Sequence, residues 1–74
     1  MIILDLRGLK CPLPALRTRK ALRQAEPGAR LRVECTDQLA VIDIPNLVRE
    51  TGDTLEASGR EGDVLVFSIA KAPG

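Results

Sequence analysis

The chain contains no histidine, and this absence excludes several kinds of chemistry. Its 74 residues include two cysteines, Cys11 and Cys35. Cysteine hydrolases and acyltransferases pair their nucleophile with a histidine base, so the sequence predicts neither activity. Two cysteines without an imidazole also exclude the common His/Cys zinc and iron–sulfur sites. We therefore expect no metal and no cofactor.

Aromatic residues and long apolar runs are also scarce. One Phe and neither Trp nor Tyr occur, which disfavours RNA modules that stack bases on aromatic side chains, and direct nucleic-acid binding with them. No run of about 18 apolar residues is present to span a membrane. Met1 leads directly into a strand pattern, with neither a basic start nor a cleavage site, which argues against a signal peptide. Because free thiols persist in a reducing compartment, we expect a cytoplasmic protein.

The apolar pattern predicts one α+β domain over residues 1–74 with the element order βαβαββ. Strands are expected at residues 2–7, 30–35, 54–58 and 64–70, and a hairpin loop at 59–63. Helices are expected at 12–25 and from Asp43, as the N-cap, to Gly52, with a separate helical turn at 39–42. A right-handed βαβ unit makes the first two strands parallel. The result is a four-stranded mixed sheet with both helices on one face.

Cys11 precedes two prolines, Pro12 and Pro14, where the first helix is expected to begin. Proline suits the first helical turn, so Cys11 is expected at or next to the N-cap, facing the positive end of the helix dipole. That position, together with the nearby basic residues Arg7 and Lys10, would lower the thiol pKa and produce a working thiolate. The alternative is a small apolar cap residue packed against the sheet.

Charge is distributed unevenly along the chain. Eight basic and two acidic residues precede Val33, whereas three basic and eight acidic residues follow from there. Leu13 and Leu16 lie among the cations Arg17 and Lys20, away from the predicted core stripe of the first helix. This apolar pair on a basic face indicates a docking surface for a partner. Alternatively, the charged residues form an ordinary solvated face of the helix, and both leucines pack under a loop.

Few reactions remain open to these residues. Cys35 lies 24 residues after Cys11 on the inward face of a strand, so it is expected to be buried and inert, not the second thiol of a redox pair. No glycine-rich run precedes either helix, so a phosphate loop is not expected. The simplest remaining chemistry needs no base from this chain. In that chemistry, Cys11 would accept a sulfur atom as a persulfide and pass it on by thiolate exchange.

The run from Asp5 to Pro14, DLRGLKCPLP, closely resembles the signature of the TusA/SirA family of small sulfur-carrier proteins. The resemblance covers nearly the whole chain. It implies a two-layer sandwich similar to the C-terminal domain of bacterial translation initiation factor three. It also implies that Cys11 carries persulfide sulfur, that Pro12 and Pro14 shape the helix start, and that Asp43 lies near the cysteine.

The same resemblance implies partners. The sulfur donor would be a cysteine desulfurase or a rhodanese-like protein. The acceptor would be a relay protein in tRNA 2-thiouridine formation, molybdenum-cofactor pathways or sulfur oxidation. The chain would then be a monomeric carrier of the sulfurtransferase class and not a stand-alone catalyst. Two residues depart from the family pattern, Gln38 where proline is frequent and Asp53 where histidine is frequent.

Two other functions stay open on the sequence alone. One is a protein- or RNA-binding regulatory module that uses the basic helix face and has a structural cysteine. The other is a redox or selenium-related relative in which sulfur transfer is lost.

Overall fold

The computed structural model describes residues 1–73, and its elements follow the predicted order. The strands are β1 (Ile2–Leu6), β2 (Arg30–Cys35), β3 (Thr54–Glu61) and β4 (Val64–Ala70), and the helices are α1 (Leu13–Gln24) and α2 (Ala40–Thr51). The sheet has the strand order β1-β2-β4-β3, with β1 parallel to β2 and β4 antiparallel to both of its neighbours. Among residues 1–73, neither helix is long and apolar enough to cross a lipid bilayer.

The core lies between the two helices and one face of this mixed sheet. Side chains along a strand alternate between its faces, so every second residue of the central strands points inward. These inward residues are Leu31, Val33 and Cys35 of β2 and Leu65, Phe67 and Ile69 of β4. Leu22 of α1 and Ile44 of α2 belong to the same buried cluster. Both helices therefore cover the same face of the sheet, as predicted.

Helix α1 buries the stripe that its sequence predicts. Thr18 and Leu22 are buried one turn apart, and the small residues beside them are half-buried. The hydroxyl of Thr18 donates to the carbonyl of Pro14 at 2.8 Å, so this buried polar group has a partner. The helix ends where Ala25 becomes extended, and Gly28 (φ 82°) then turns the chain toward β2.

Helix α2 differs from the expectation. It runs unbroken over Ala40–Thr51, its N-cap is Leu39, and Asp43 lies in the first turn instead of at the cap. Pro45 lies inside the helix, where it removes one backbone donor. The helix continues through Pro45 because one apolar face, buried against the sheet, offsets that loss. The buried residues of this face are Ala40, Ile44, Leu47 and Val48.

The β3–β4 hairpin is tighter than the sequence predicts. Residues 59–61, expected in a loop, continue β3 and pair with residues 64–66 of β4. The turn is left with Gly62 and Asp63, and Gly62 has the positive φ (62°) that suits a short hairpin. The prediction of a loop over residues 59–63 is therefore wrong, because only residues 62 and 63 form the turn. Its polar residues belong to an exposed edge strand, where charged side chains are common.

Candidate functional site

Cys11 lies in the loop between β1 and α1, immediately before Pro12, the N-cap of α1. It is exposed, which excludes a cap residue packed into the sheet. The Cys11–Pro12 peptide bond is cis. Cys35 is 0% exposed in the core, and burial raises the pKa of its thiol to about 11. The structure thus confirms that one thiol is accessible and the other is enclosed.

Two side chains that follow β2 hold the cysteine loop in place. The hydroxyl of Thr36 accepts the N–H of Gly8 at 2.8 Å. The carboxylate of Asp37 accepts the N–H of Leu39 at 3.0 Å and, through its other oxygen, the N–H of Cys11. These two backbone hydrogen bonds, that from Leu39 most of all, lower the pKa of Asp37. The loops that follow the parallel strands β1 and β2 are therefore tied together, as the predicted topology requires.

The sulfur of Cys11 contacts a carboxylate of α2. Its Sγ donates a hydrogen bond to Oδ2 of Asp43 at 3.2 Å. The pKa of Cys11 is raised, first by this hydrogen bond, then by desolvation and by the charges of Asp43 and Asp37. The expectation of a lowered pKa is therefore wrong. A thiol that donates to a carboxylate is stabilised in its protonated form, so Cys11 rests as a thiol.

The start of α1 offers few N–H groups that could counter the effect of these carboxylates on the pKa of Cys11. Pro12 and Pro14 have no N–H to offer. The N–H of Leu13 donates to the carbonyl of Lys10 at 2.8 Å. Residues 12–14, the N-cap and the first two helical positions, therefore present no free amide to an anion at Cys11. The prolines that predict the helix start therefore also remove two of the donors expected to stabilise a thiolate there.

The cations that precede the cysteine act mainly on carboxylates, and Arg7 is paired with one of them. Nε of Arg7 lies 2.7 Å from Oδ1 of Asp5, and hydrogen bonds from Arg7 lower the pKa of Asp5 to about 2. Lys10 is exposed, and its charge helps to lower the pKa of Asp37. The charges that act most strongly on the sulfur are therefore negative. A supporting role for Arg7 and Lys10 stays a prediction.

A groove of about 340 Å³ opens beside the sulfur between α1 and α2. Nη2 of Arg19 lies 3.1 Å from Oε2 of Glu50, so an ion pair joins the two helices within it. Asp43, Asn46 and Glu50 are spaced by three and four residues on α2, and therefore share one helix face. This row of polar residues on one face of the helix is a pattern in the sequence from which the groove could be predicted. The other lining residues are Cys11, Pro12, Ala15, Leu16 and Leu47.

The sequence profile of the family described as "Sulfurtransferase TusA" matches residues 2–71. The chain belongs to this family. The sulfur carrier protein TusA of Allochromatium vinosum is 41% identical over 69 residues, which cover 93% of this chain and 91% of that protein. YrkI of Bacillus subtilis is likewise 41% identical over 69 residues, covering 93% and 92%. The crystal structure of a SirA-like protein from Desulfitobacterium hafniense matches with a TM-score of 0.84 and 25% identity, covering 97% of this chain and 99% of that one.

Membership of the TusA family supports a sulfur-carrier role, and a carrier interacts with proteins that donate and accept sulfur. On the surface next to Cys11, Leu13 and Leu16 are 41% and 54% exposed. They do not pack under a loop. Arg17 and Lys20 are exposed on the same helix. The predicted exposure of this basic and apolar face is confirmed, and its docking role stays a prediction.

The two departures from the TusA pattern make structural contacts. Oε1 of Gln38 accepts a hydrogen bond from Nη2 of Arg60 at 2.8 Å, which ties β3 to the start of α2. Oδ1 of Asp53 accepts the N–H of Ala72 at 2.8 Å, which ties the chain after β4 to the end of α2. Both residues therefore join segments that are distant in sequence, and neither side chain forms a hydrogen bond with Cys11.

A second apolar surface was missed at the sequence level. Leu39, Val41 and Ile42 at the start of α2 are each about half exposed. Val41 also lines a separate groove of about 270 Å³ against β3 and β4. The sequence predicts a separate helical turn at 39–42, which does not indicate that these residues lie on the outer side of a continuous helix. None of these three residues lines the groove beside the thiol.

Proposed function

We propose that this TusA-family protein accepts sulfur as a persulfide on Cys11 and passes it to an acceptor protein. The observation that carries the proposal is the contrast between the two thiols. Cys11 is exposed at the edge of a groove between two helices, whereas Cys35 is fully enclosed. Exchange of sulfur needs an accessible sulfur atom and a partner that brings the other half of the reaction. Only Cys11 meets the first requirement.

The partners belong to the same proposal. The donor is a cysteine desulfurase or a rhodanese-like protein. The acceptor is a relay protein in tRNA 2-thiouridine formation, molybdenum-cofactor pathways or sulfur oxidation. We place the protein in the cytoplasm, where a free thiol persists, as a monomeric single-domain carrier over residues 1–74.

Intact-mass spectrometry tests this proposal directly. The purified protein is incubated with a cysteine desulfurase and free cysteine. We expect a gain of about 32 Da, the mass of one sulfur atom, and its reversal by a thiol reductant. Free cysteine without the desulfurase is the control and should leave the mass unchanged. A protein that gains no mass while the desulfurase is active would contradict the carrier role.

We also propose that the α1 face of Leu13, Leu16, Arg17 and Lys20 docks the sulfur donor. Apolar side chains set among cations suit a partner whose own surface is acidic with an apolar centre. Arg17→Glu reverses one charge on this face. Because opposing charges speed protein association, we expect the rate of sulfur transfer from a desulfurase to fall at least about tenfold.

Arg23→Glu is the matched control for the docking prediction. It makes the same substitution at an exposed site on the same helix, in its last turn. Transfer from a small persulfide should be unchanged in both variants, because a small donor needs no docking surface. Equal slowing by Arg17→Glu and Arg23→Glu would show that net charge matters and that this face is not a specific docking site.

A further inference from the structure

We propose that Asp43 is the proton acceptor for Cys11, taking the thiol proton as the sulfur attacks the persulfide of the donor. The inference rests on the proposed function and assigns it a further catalytic residue. Oδ2 of Asp43 contacts the reacting sulfur atom itself, at 3.2 Å. That distance is within reach for direct proton transfer from sulfur to oxygen.

Among the carboxylates near the sulfur, Asp43 is the best placed to accept the proton of Cys11. Both oxygens of Asp37 accept backbone N–H groups, those of Cys11 and Leu39. Glu50, in the same groove, is paired with Arg19. Within residues 1–73, Asp43 supplies the one carboxylate that accepts a hydrogen bond from the sulfur. The chain has no histidine that could serve instead.

The position of Asp43 is fixed by the fold. It lies in the first turn of α2, where the helix dipole favours a negative charge. The next residue, Ile44, is 0% exposed in the core and anchors this turn against the sheet. The loop that carries Cys11 is held against the same region by Asp37. Acceptor and thiol are therefore preorganised by two separate elements before a donor arrives.

The transfer step balances without an added oxidant. The sulfur of Cys11 attacks the outer sulfur of the donor persulfide and forms a new S–S bond. The S–S bond of the donor breaks, and its inner sulfur leaves as a thiolate. The thiol proton of Cys11 moves to the carboxylate of Asp43 and is then passed to the departing thiolate. The products are a persulfide on Cys11 and a thiol on the donor, with Asp43 again ionised.

Asp43→Asn distinguishes a proton acceptor from a purely structural residue. It should raise the rate at which Cys11 is alkylated and lower the rate at which Cys11 accepts sulfur. Loss of the carboxylate removes the leading cause of the raised pKa of Cys11. At pH 7, alkylation by iodoacetamide should then become faster, by about threefold for each tenfold gain in thiolate. Sulfur acceptance from glutathione persulfide should instead become slower, by about 100-fold, the lower end of what a positioned base supplies.

Two variants control this experiment. Asp63→Asn makes the same substitution in the exposed β3–β4 turn, outside the groove, and should leave both rates close to those of the wild type. Asp43→Glu keeps a carboxylate on a longer side chain and should recover part of the sulfur acceptance. Circular dichroism of each variant checks that the helices are intact. The rates of alkylation and of sulfur acceptance are both measured by mass spectrometry on the tryptic peptide of residues 11–17, which contains Cys11 and not Cys35.

The outcomes distinguish this inference from the proposed function. If the wild type gains no sulfur at Cys11 from either donor, the proposed function fails. If the wild type gains sulfur but Asp43→Asn raises both rates or lowers both rates, the assignment of Asp43 as proton acceptor is overturned and the carrier role stands. Unchanged rates in Asp43→Asn would overturn it equally. Opposite shifts of the two rates in Asp43→Asn, with both rates unchanged in Asp63→Asn, support it.

Discussion

Replacing Cys11 with serine is expected to abolish sulfur acceptance. The serine hydroxyl is nearly the same size and can keep the hydrogen bond to Asp43, but it cannot form a persulfide. Cys11 is exposed, so the substitution should leave the fold intact. In the assay with a cysteine desulfurase and cysteine, Cys11→Ser should show none of the mass gain of about 32 Da expected of the wild type.

Cys35→Ala is the matched control, and we expect it to retain the full mass gain. Cys35 is 0% exposed, and burial raises the pKa of its thiol to about 11. At pH 7 such a thiol is almost entirely protonated, and no donor reaches it. Alanine is preferable to serine here because a hydroxyl in this apolar core would lack a partner. A mass gain in Cys11→Ser equal to that of Cys35→Ala would contradict the division of roles between the thiols.

A large loss of stability is expected from Ile44→Ala. Ile44 is 0% exposed and packs in the core cluster beneath α2. Truncating a buried isoleucine to alanine costs about 2–5 kcal/mol of unfolding free energy. A chain of this length has a total of about 4–11 kcal/mol at the usual stability per residue. We therefore expect the midpoint of thermal unfolding to fall by at least about 10 °C.

Ile42→Ala is the matched control, because it makes the same substitution in the same helix at an exposed position. Ile42 belongs to the same helix but is 59% exposed, so its truncation should change stability by no more than about 0.5 kcal/mol. Thermal unfolding followed by circular dichroism compares the two variants. Equal losses would mean that the helix presents a different face to the sheet. The orientation of Asp43 toward the sulfur would then be in doubt as well.

The topology and the difference between the two cysteines could be predicted because both depend on local periodicity. Alternation along residues 30–35 places Cys35 inward. The spacing of Thr18 and Leu22 in α1 identifies its buried side. The order of strands and helices, with the right-handed crossover, then determines a mixed sheet with both helices on one face. Proline after Cys11 marks the start of a helix and thereby an exposed position at its entry.

The electrostatics of the thiol could not be predicted in the same way. The group that sets its protonation, Asp43, is 32 residues away in sequence. The family resemblance predicts that Asp43 lies near the cysteine, and its Oδ2 is 3.2 Å from the sulfur. The residue pattern alone predicts only a cap of α2, whereas Asp43 occupies the first turn. The nearby basic residues suggested a cationic environment, yet Arg7 is paired with Asp5. Neighbours in sequence were thus a poor guide to neighbours in space.

The structure differs from the prediction at two other places, the end of β3 and the start of α2. An edge strand with charged residues has the composition of a loop, so the end of β3 was assigned to a turn. A proline is usually found in the first helical turn, so α2 was expected to begin just before Pro45. In both cases tertiary packing decides the structure. Residues 59–61 pair with β4, and the apolar face of α2 packs on the sheet.

The most direct measurement locates the added sulfur within the wild-type chain. After incubation with a cysteine desulfurase and cysteine, thiols and persulfides are trapped with iodoacetamide, and the protein is digested with trypsin without reduction. Cleavage after Lys10, Arg17, Arg32 and Arg49 separates the cysteines into peptides 11–17 and 33–49. We predict the added mass of about 32 Da on peptide 11–17 alone. Added sulfur on peptide 33–49, or on neither peptide, would contradict a carrier that works through the exposed thiol.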